Sequence, residues 1–126
     1  MDLSKYYFTE THEWVLIEDE YAYIGITDYA QKELGDIVYV ECPEEGDEVE
    51  KNEPFGSIEA VKAVEEINSP IDGVVKEVNK DLETMPELIN ESPYEEGWII
   101  KVKYYDKKGI ENLLSEKKYH NLLEDI

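Results

Sequence analysis

Lys62 is the residue whose type and setting point to chemistry. It stands between two small apolar residues, Val61 and Ala63, within Gly56-Ser57-Ile58-Glu59-Ala60-Val61-Lys62-Ala63-Val64-Glu65-Glu66-Ile67-Asn68-Ser69-Pro70. Residues 57–61 and 63–67 read as two short strands, which places the lysine at the turn between them. A hairpin tip is solvated and presents its side chain away from the sheet. Lysine there offers a flexible stem ending in a primary amine, and the chemistry open to such an amine is acylation. An isolated lysine is far more often a plain surface residue; what sets this one apart is its frame.

That frame is quasi-symmetric. Gly46-Asp47-Glu48-Val49 and Gly56 come before the lysine, and Ser69-Pro70-Ile71-Asp72-Gly73-Val74-Val75 and Val78 come after it. Gly46 lies 16 positions before Lys62 and Gly73 lies 11 after. Both are expected to supply the positive φ of a tight turn, and Gly56 also reads as a turn glycine.

The rest of the chain supplies a support for this hairpin. Residues 6–8 and 13–17 read as strands, the second with Trp14 and Leu16 on one face and Val15 and Ile17 on the other, a pattern of burial on both sides. A polar turn, Glu18-Asp19-Glu20, leads to a returning strand at 21–26. Asp28 with Gln31 three residues on predicts a capping box, and Gly35 is placed to close the short helix that follows. A strand at 36–42 and the turn Pro43-Glu44-Glu45-Gly46 bring the chain to the hairpin. Beyond it, residues 79–84 read as a polar connection, Leu88 and Ile89 as packed positions, and residues 98–104 as a strand. Asp106 is expected to cap a helix carrying Ile110, Leu113 and Leu114 on one face, despite the cost of Gly109. Ser115 is expected to cap a second, with Tyr119, Leu122 and Leu123 at i, i+3 and i+4. Many short strands with helices at the end predict a mainly β domain with α cover, a single unit over residues 1–126.

Composition narrows the partners. Against 32 acidic residues stand 12 lysines and no arginine, a net charge of −20, which repels nucleic acid and anionic membranes. Proteins with basic docking surfaces are favoured, and such association weakens with salt; the same acidity also serves solubility alone. Cys42 is the single cysteine, so no intramolecular disulfide forms and a reducing compartment is expected; its strand context reads as packed rather than reactive. Met1-Asp2-Leu3-Ser4-Lys5 lacks the features of a signal or transit peptide, and no stretch approaches a membrane span. A cytoplasmic protein, monomeric and without a metal, is the expectation.

No residue pattern predicts catalysis by the chain itself. His12 and His120 have no ligand spacing with each other or with Cys42. No glycine-rich phosphate loop is present. The pairs Glu44-Glu45 and Glu65-Glu66 read as solvated in so acidic a chain.

The lysine hairpin, with its glycine spacing, resembles the attachment hairpin of the lipoyl/biotinyl carrier superfamily. Biotinyl lysines are flanked by methionines, and Val61 and Ala63 favour lipoate instead. Further blocks narrow the resemblance to the H proteins of the glycine cleavage system: Tyr7-Phe8-Thr9-Glu10-Thr11-His12-Glu13-Trp14-Val15, Gly25-Ile26-Thr27-Asp28-Tyr29-Ala30-Gln31, Leu34-Gly35-Asp36-Ile37-Val38-Tyr39-Val40 and Pro86-Glu87-Leu88-Ile89-Asn90-Glu91-Ser92-Pro93-Tyr94. The similarity runs over residues 6–123. One departure lies at its centre, where Ala60 stands in place of the serine of Glu-Ser-Val-Lys-Ala.

The resemblance implies a barrel-sandwich hybrid, the hammerhead of lipoyl domains, with extra strands and C-terminal helices. It implies lipoate bound covalently to Lys62 by a lipoate ligase or lipoyl transferase, with Glu59 helping that enzyme recognise the hairpin. Thr11, Glu13 and Glu66 match polar positions near a cleft that accepts the loaded arm. For Glu59, Glu13 and Glu66 a plain solvated carboxylate is the rival interpretation. The implied role is that of a carrier, not an enzyme. It would take an aminomethyl group from a pyridoxal-phosphate glycine decarboxylase (P protein) to a folate-dependent aminomethyltransferase (T protein), and electrons to dihydrolipoyl dehydrogenase (L protein). An H-like carrier that relays lipoate to other proteins, or one that serves sulfur-compound oxidation, fits the same residues.

Overall fold

Strand β2 (Glu13–Glu18) sorts its side chains to two sides, and the two layers of the protein follow from that. Val15 enters the larger core, while Trp14 joins Tyr6, Phe8 and Tyr119 in a second cluster on the opposite face. The computed structural model describes residues 2–126. Strands β1 (Tyr6–Phe8), β2 and β3 (Tyr21–Ile26) form a meander, and helix α1 (Asp28–Leu34) and strand β4 (Ile37–Glu41) follow. Next come β5 (Glu48–Val49), β6 (Pro54–Ala60), β7 (Val64–Asn68) and β8 (Gly73–Val78), then helix α2 (Leu88–Glu91) and strand β9 (Ile100–Tyr104). Helices α3 (Lys108–Glu111) and α4 (Glu116–Glu124) end the chain.

The strands form two antiparallel sheets, one ordered β1-β2-β3-β9-β8-β5 and the other β4-β6-β7. Ile24, Val75, Ile100 and Val102 from the larger sheet share one buried cluster with Ile37, Val40, Ile58 and Ile67 from the smaller. That shared cluster makes the pair a sandwich, mainly β as expected. Helix α4 covers the second cluster through Tyr119, Leu122 and Leu123, at the spacing the sequence predicts. No described helix is long and apolar enough to cross a membrane.

Several local expectations are corrected. Thr27, not Asp28, caps α1: its side chain accepts from the Ala30 N–H, and Asp28 instead accepts from the Gln31 amide at 2.8 Å. Residues 79–84 are not a plain connection. Lys80–Glu83 form a 3-10 turn capped by Asn79, with Leu82 buried beneath it. Strand β9 starts two residues later than expected. Ile99 still donates its N–H to the Ile24 carbonyl at 2.8 Å, so the segment before the strand is tied to the same sheet. Helix α3 stops after one turn; Leu114 is drawn instead into a bridge with Phe8 that β1 needs for its outer edge.

Of the glycines flanking the hairpin, Gly46 acts as expected, while Gly73 and Gly56 do different work. Gly46 has φ 94° and makes the turn. Gly73 has no positive φ; it lies in β8, where an added Cβ would collide with Val102 and the Lys103 carbonyl of β9. Gly56 lies in β6, not in a turn, and a Cβ there would strike the Glu41 carbonyl of β4. Close strand approach fixes these two positions.

Candidate functional site

The lysine hairpin forms where the sequence places it. Its last cross-strand pair is Glu59 with Val64, and the Ala60 N–H donates to the Ala63 carbonyl at 2.8 Å across the turn. The Val61 N–H donates to the Asp36 carbonyl at 3.1 Å, which fastens the tip to the start of β4. Val61 and Lys62 are left in the turn, and Lys62 is exposed. Among the described residues no ion pair engages its amine. A pinned backbone with a free side chain suits a tethering point.

Beside the tip lies a cleft of about 280 Å³ between the hairpin, the β1–β2 loop and α1. Ala63, the residue after Lys62, is part of its wall. Ile26, Ala30, Leu34, Ile58 and Ile67 supply apolar surface, and Thr11, Glu13, Glu33, Glu65 and Glu66 supply hydroxyl and carboxylate groups. No lysine lines it, so the cleft suits a chain with an aliphatic stem and a cationic end.

Glu13 is the best-fixed polar group of the cleft and is not a solvated carboxylate, being only 3% exposed. Its Oε1 accepts from Thr9 Oγ1 at 2.7 Å and from Thr11 Oγ1, and its Oε2 accepts from the Asn68 N–H at 3.3 Å. Burial pushes its carboxyl above the usual carboxylate range, and the hydrogen bonds from Thr11, Thr9 and Asn68 hold that rise back. Left-handed backbone at His12, φ 72°, turns the loop so that Thr11 and Glu13 meet. Such a backbone in a non-glycine residue is uncommon and persists where its surroundings hold it. Here His12 Nδ1 shares a hydrogen bond of 2.8 Å with Tyr119 Oη of α4, whose hydroxyl also bonds Thr27 Oγ1 at 2.7 Å. Burial pushes the His12 imidazole below its ordinary range, with Glu33 opposing.

The glycine cleavage H-protein family model matches residues 6–126. The chain belongs to that family. An H protein of the glycine cleavage system from Bacillus licheniformis is 53% identical over 118 residues, covering 94% of this chain and 93% of its own. One from Geobacillus kaustophilus is 54% identical with the same coverage. The crystal structure of a glycine cleavage system H protein from Mycobacterium marinum superposes with a TM-score of 0.86 at 30% identity, over 96% of this chain and 98% of that one. The barrel-sandwich expectation therefore holds. Membership in the H-protein family makes the chain a carrier component of the glycine cleavage system, not a catalyst.

Within this H-protein fold the five residues singled out from the sequence fall into two groups. Thr11, Glu13 and Glu66 line the cleft, Glu66 as an exposed residue on the edge strand β7. Glu59 and Lys62 do not: Glu59 faces outward from β6, exposed, three residues before the exposed Lys62 at the tip. The sequence reading missed His12, Tyr29, Glu33 and Glu65 as cleft residues. Helical spacing carried a signal for two of them, since Tyr29 and Glu33 are one turn apart on α1 beside Ala30 and Leu34. Glu65 shares the strand period of Ala63 and Ile67. His12 had no such signal, because its partner Tyr119 is 107 residues away.

Proposed function

We propose that Lys62 carries lipoate as an amide on its side-chain amine and that the adjoining cleft shelters the loaded end of the arm. The observation that carries this is the position of Ala63: the residue next to the exposed amine is itself part of the cleft wall. When bound, lipoate would supply a dithiolane whose S–S bond opens, one sulfur taking the one-carbon amine fragment in a C–S bond and the other becoming a thiol, with thiol–disulfide exchange serving the later reoxidation of the dithiol. The chain's own residues do the rest. The turn fixes the root of the arm, and tethering raises the arm's effective concentration at each docked enzyme. Ile58, Ile67 and Leu34 offer the aliphatic stem a dry surface. Thr11 and Glu13, with Glu66 at the rim, place an acceptor where a cationic end would lie.

The partners in this proposal are the glycine decarboxylase, the aminomethyltransferase, the dihydrolipoyl dehydrogenase and a lipoate ligase or lipoyl transferase. A monomer in the cytoplasm, free of metal, completes the proposal. The test is to treat the apoprotein with a lipoate ligase, lipoate and ATP, map the modified peptide, and assay glycine–bicarbonate exchange with a decarboxylase. Modification confined to Lys62 together with exchange is expected. Modification of another lysine would overturn the site, and modification without exchange would favour the lipoate-relay role.

A further inference from the structure

Among the described residues few large hydrophobic side chains are exposed, and four of them surround the tip of the hairpin: Val38 (52% exposed), Tyr39 (55%), Val61 (72%) and Val64 (66%). The others, Met85, Tyr105 and Ile126, lie in separate parts of the chain. Two features build this cluster. Across the smaller sheet, Tyr39 pairs with Glu59 and Glu59 with Val64, so these three side chains stand in one row on its outer face. A bulge in β4 between Ile37 and Tyr39 then turns two successive residues, Val38 and Tyr39, out to solvent. An extra residue of this kind re-aims a strand's side chains and recurs beside functional sites. Behind the bulge, Ile37 and Val40 keep their places in the core, so the outward pair is not needed for packing.

We infer that this outer face, the row Tyr39–Glu59–Val64 with Val38 and Val61, is the docking surface for the enzyme that acylates Lys62. The inference rests on the proposal that Lys62 is lipoylated. Reach is the physical reason for choosing this partner. An enzyme that forms the amide must bring its active site to the lysine amine itself, so it must cover the residues immediately around the tip. Enzymes that meet the far end of a finished arm need not touch them. The face lies on the opposite side of the smaller sheet from Ile58 and Ile67, which line the cleft, and borders the cleft at Glu66, which pairs with Ser57 on this same side. Glu41, the next outward residue of β4, and Glu59 make the surface apolar with acidic groups set into it. The matching partner presents a concave apolar site edged by lysine or arginine.

Tyr39→Ser and Val64→Ser test this, because both residues are exposed and neither change should alter the fold; thermal melting curves matching the parent's would verify that. With a purified lipoate ligase, lipoate and ATP, each variant is expected to lose about tenfold in kcat/KM, carried mainly by KM. Tyr39→Phe should recover most of the loss. Each variant, driven to full lipoylation with excess ligase, should then exchange glycine and bicarbonate at the parent's rate. Ligation within about twofold of the parent would overturn the inference, since a central contact is worth more than that. A loss that appears equally in the exchange assay would also overturn it, assigning the face to a cargo enzyme. Failure of the parent itself to be modified at Lys62 would count against the lipoyl proposal and is read separately from the ratio of variant to parent.

Discussion

The backbone N–H of Asn68 in β7 donates to Glu13 Oε2 at 3.3 Å, joining the start of β2 to the edge of the lysine hairpin across 55 residues of sequence. Glu13 is thus at once a cleft group and a clasp between two segments. Removing its carboxyl would leave the Thr9 and Thr11 hydroxyls and the Asn68 N–H without their acceptor. Glu13→Ala should cost about 1–3 kcal/mol in denaturant unfolding. Glu13→Gln, whose amide can both donate to the hydroxyls and accept from Asn68, should cost much less.

Burial gives the same residue a pH signature. The folded carboxyl lies above its ordinary value of 4.5. Its contribution to stability is therefore fully present below that value and is lost as the pH rises through the folded one. The parent should lose stability relative to Glu13→Gln between acid and neutral pH. Paired urea titrations of the two proteins at a series of pH values measure this, and a pH-independent difference would contradict it.

Charge at Glu13 should matter to the stored cargo as well. A carboxylate bonded to a partly desolvated ammonium contributes on the order of 1.5–3 kcal/mol. Purified, loaded Glu13→Gln is expected to release ammonia at least about tenfold faster than the parent at matched pH and salt. Decay at the parental rate would pass the role to Glu66, and the matching Glu66→Gln measurement tests that in turn. If both variants decay like the parent, the cleft does not protect the arm.

Glu59 makes a cleaner test of recognition, because it faces away from the cleft and from the core. Glu59→Gln should slow ligation of Lys62 and leave both unfolding and ammonia release unchanged. Equal ligation rates would make Glu59 a plain surface carboxylate.

Cys42 is half-buried, and burial pushes its thiol up to about 11. The thiolate is the reactive form, so alkylation by iodoacetamide at neutral pH should be slow in the folded protein and fast in urea. Rapid labelling of the folded chain would contradict the packed state.

Gly56 tests the geometry of the smaller sheet. An added Cβ would meet the Glu41 carbonyl, which belongs to the β4 backbone and cannot rotate away. Gly56→Ala should destabilise by about 1–3 kcal/mol, as overpacking does, and unfolding curves give the value.

The sequence alone determined the local features. Lys62 at a tip, the alternation of Trp14 and Val15, and the i, i+3, i+4 stripe of Tyr119, Leu122 and Leu123 are all legible because strand and helix periods are short-range properties of the chain. Resemblance added the family, and with it Thr11, Glu13 and Glu66 among the polar residues of the cleft. Tertiary structure decided what depends on neighbours distant in sequence. Gly56 and Gly73 are fixed by the approach of β4 and β9, not by turn conformations of their own. Leu114 leaves its predicted helix because Phe8 offers a backbone pairing. Glu13 is buried because Thr9, Thr11 and Asn68 satisfy it from two segments, and no pattern along one segment reports such a set of donors. The exposure of both Val38 and Tyr39 depends on a bulge against β6, and an alternating strand would have turned one of them inward.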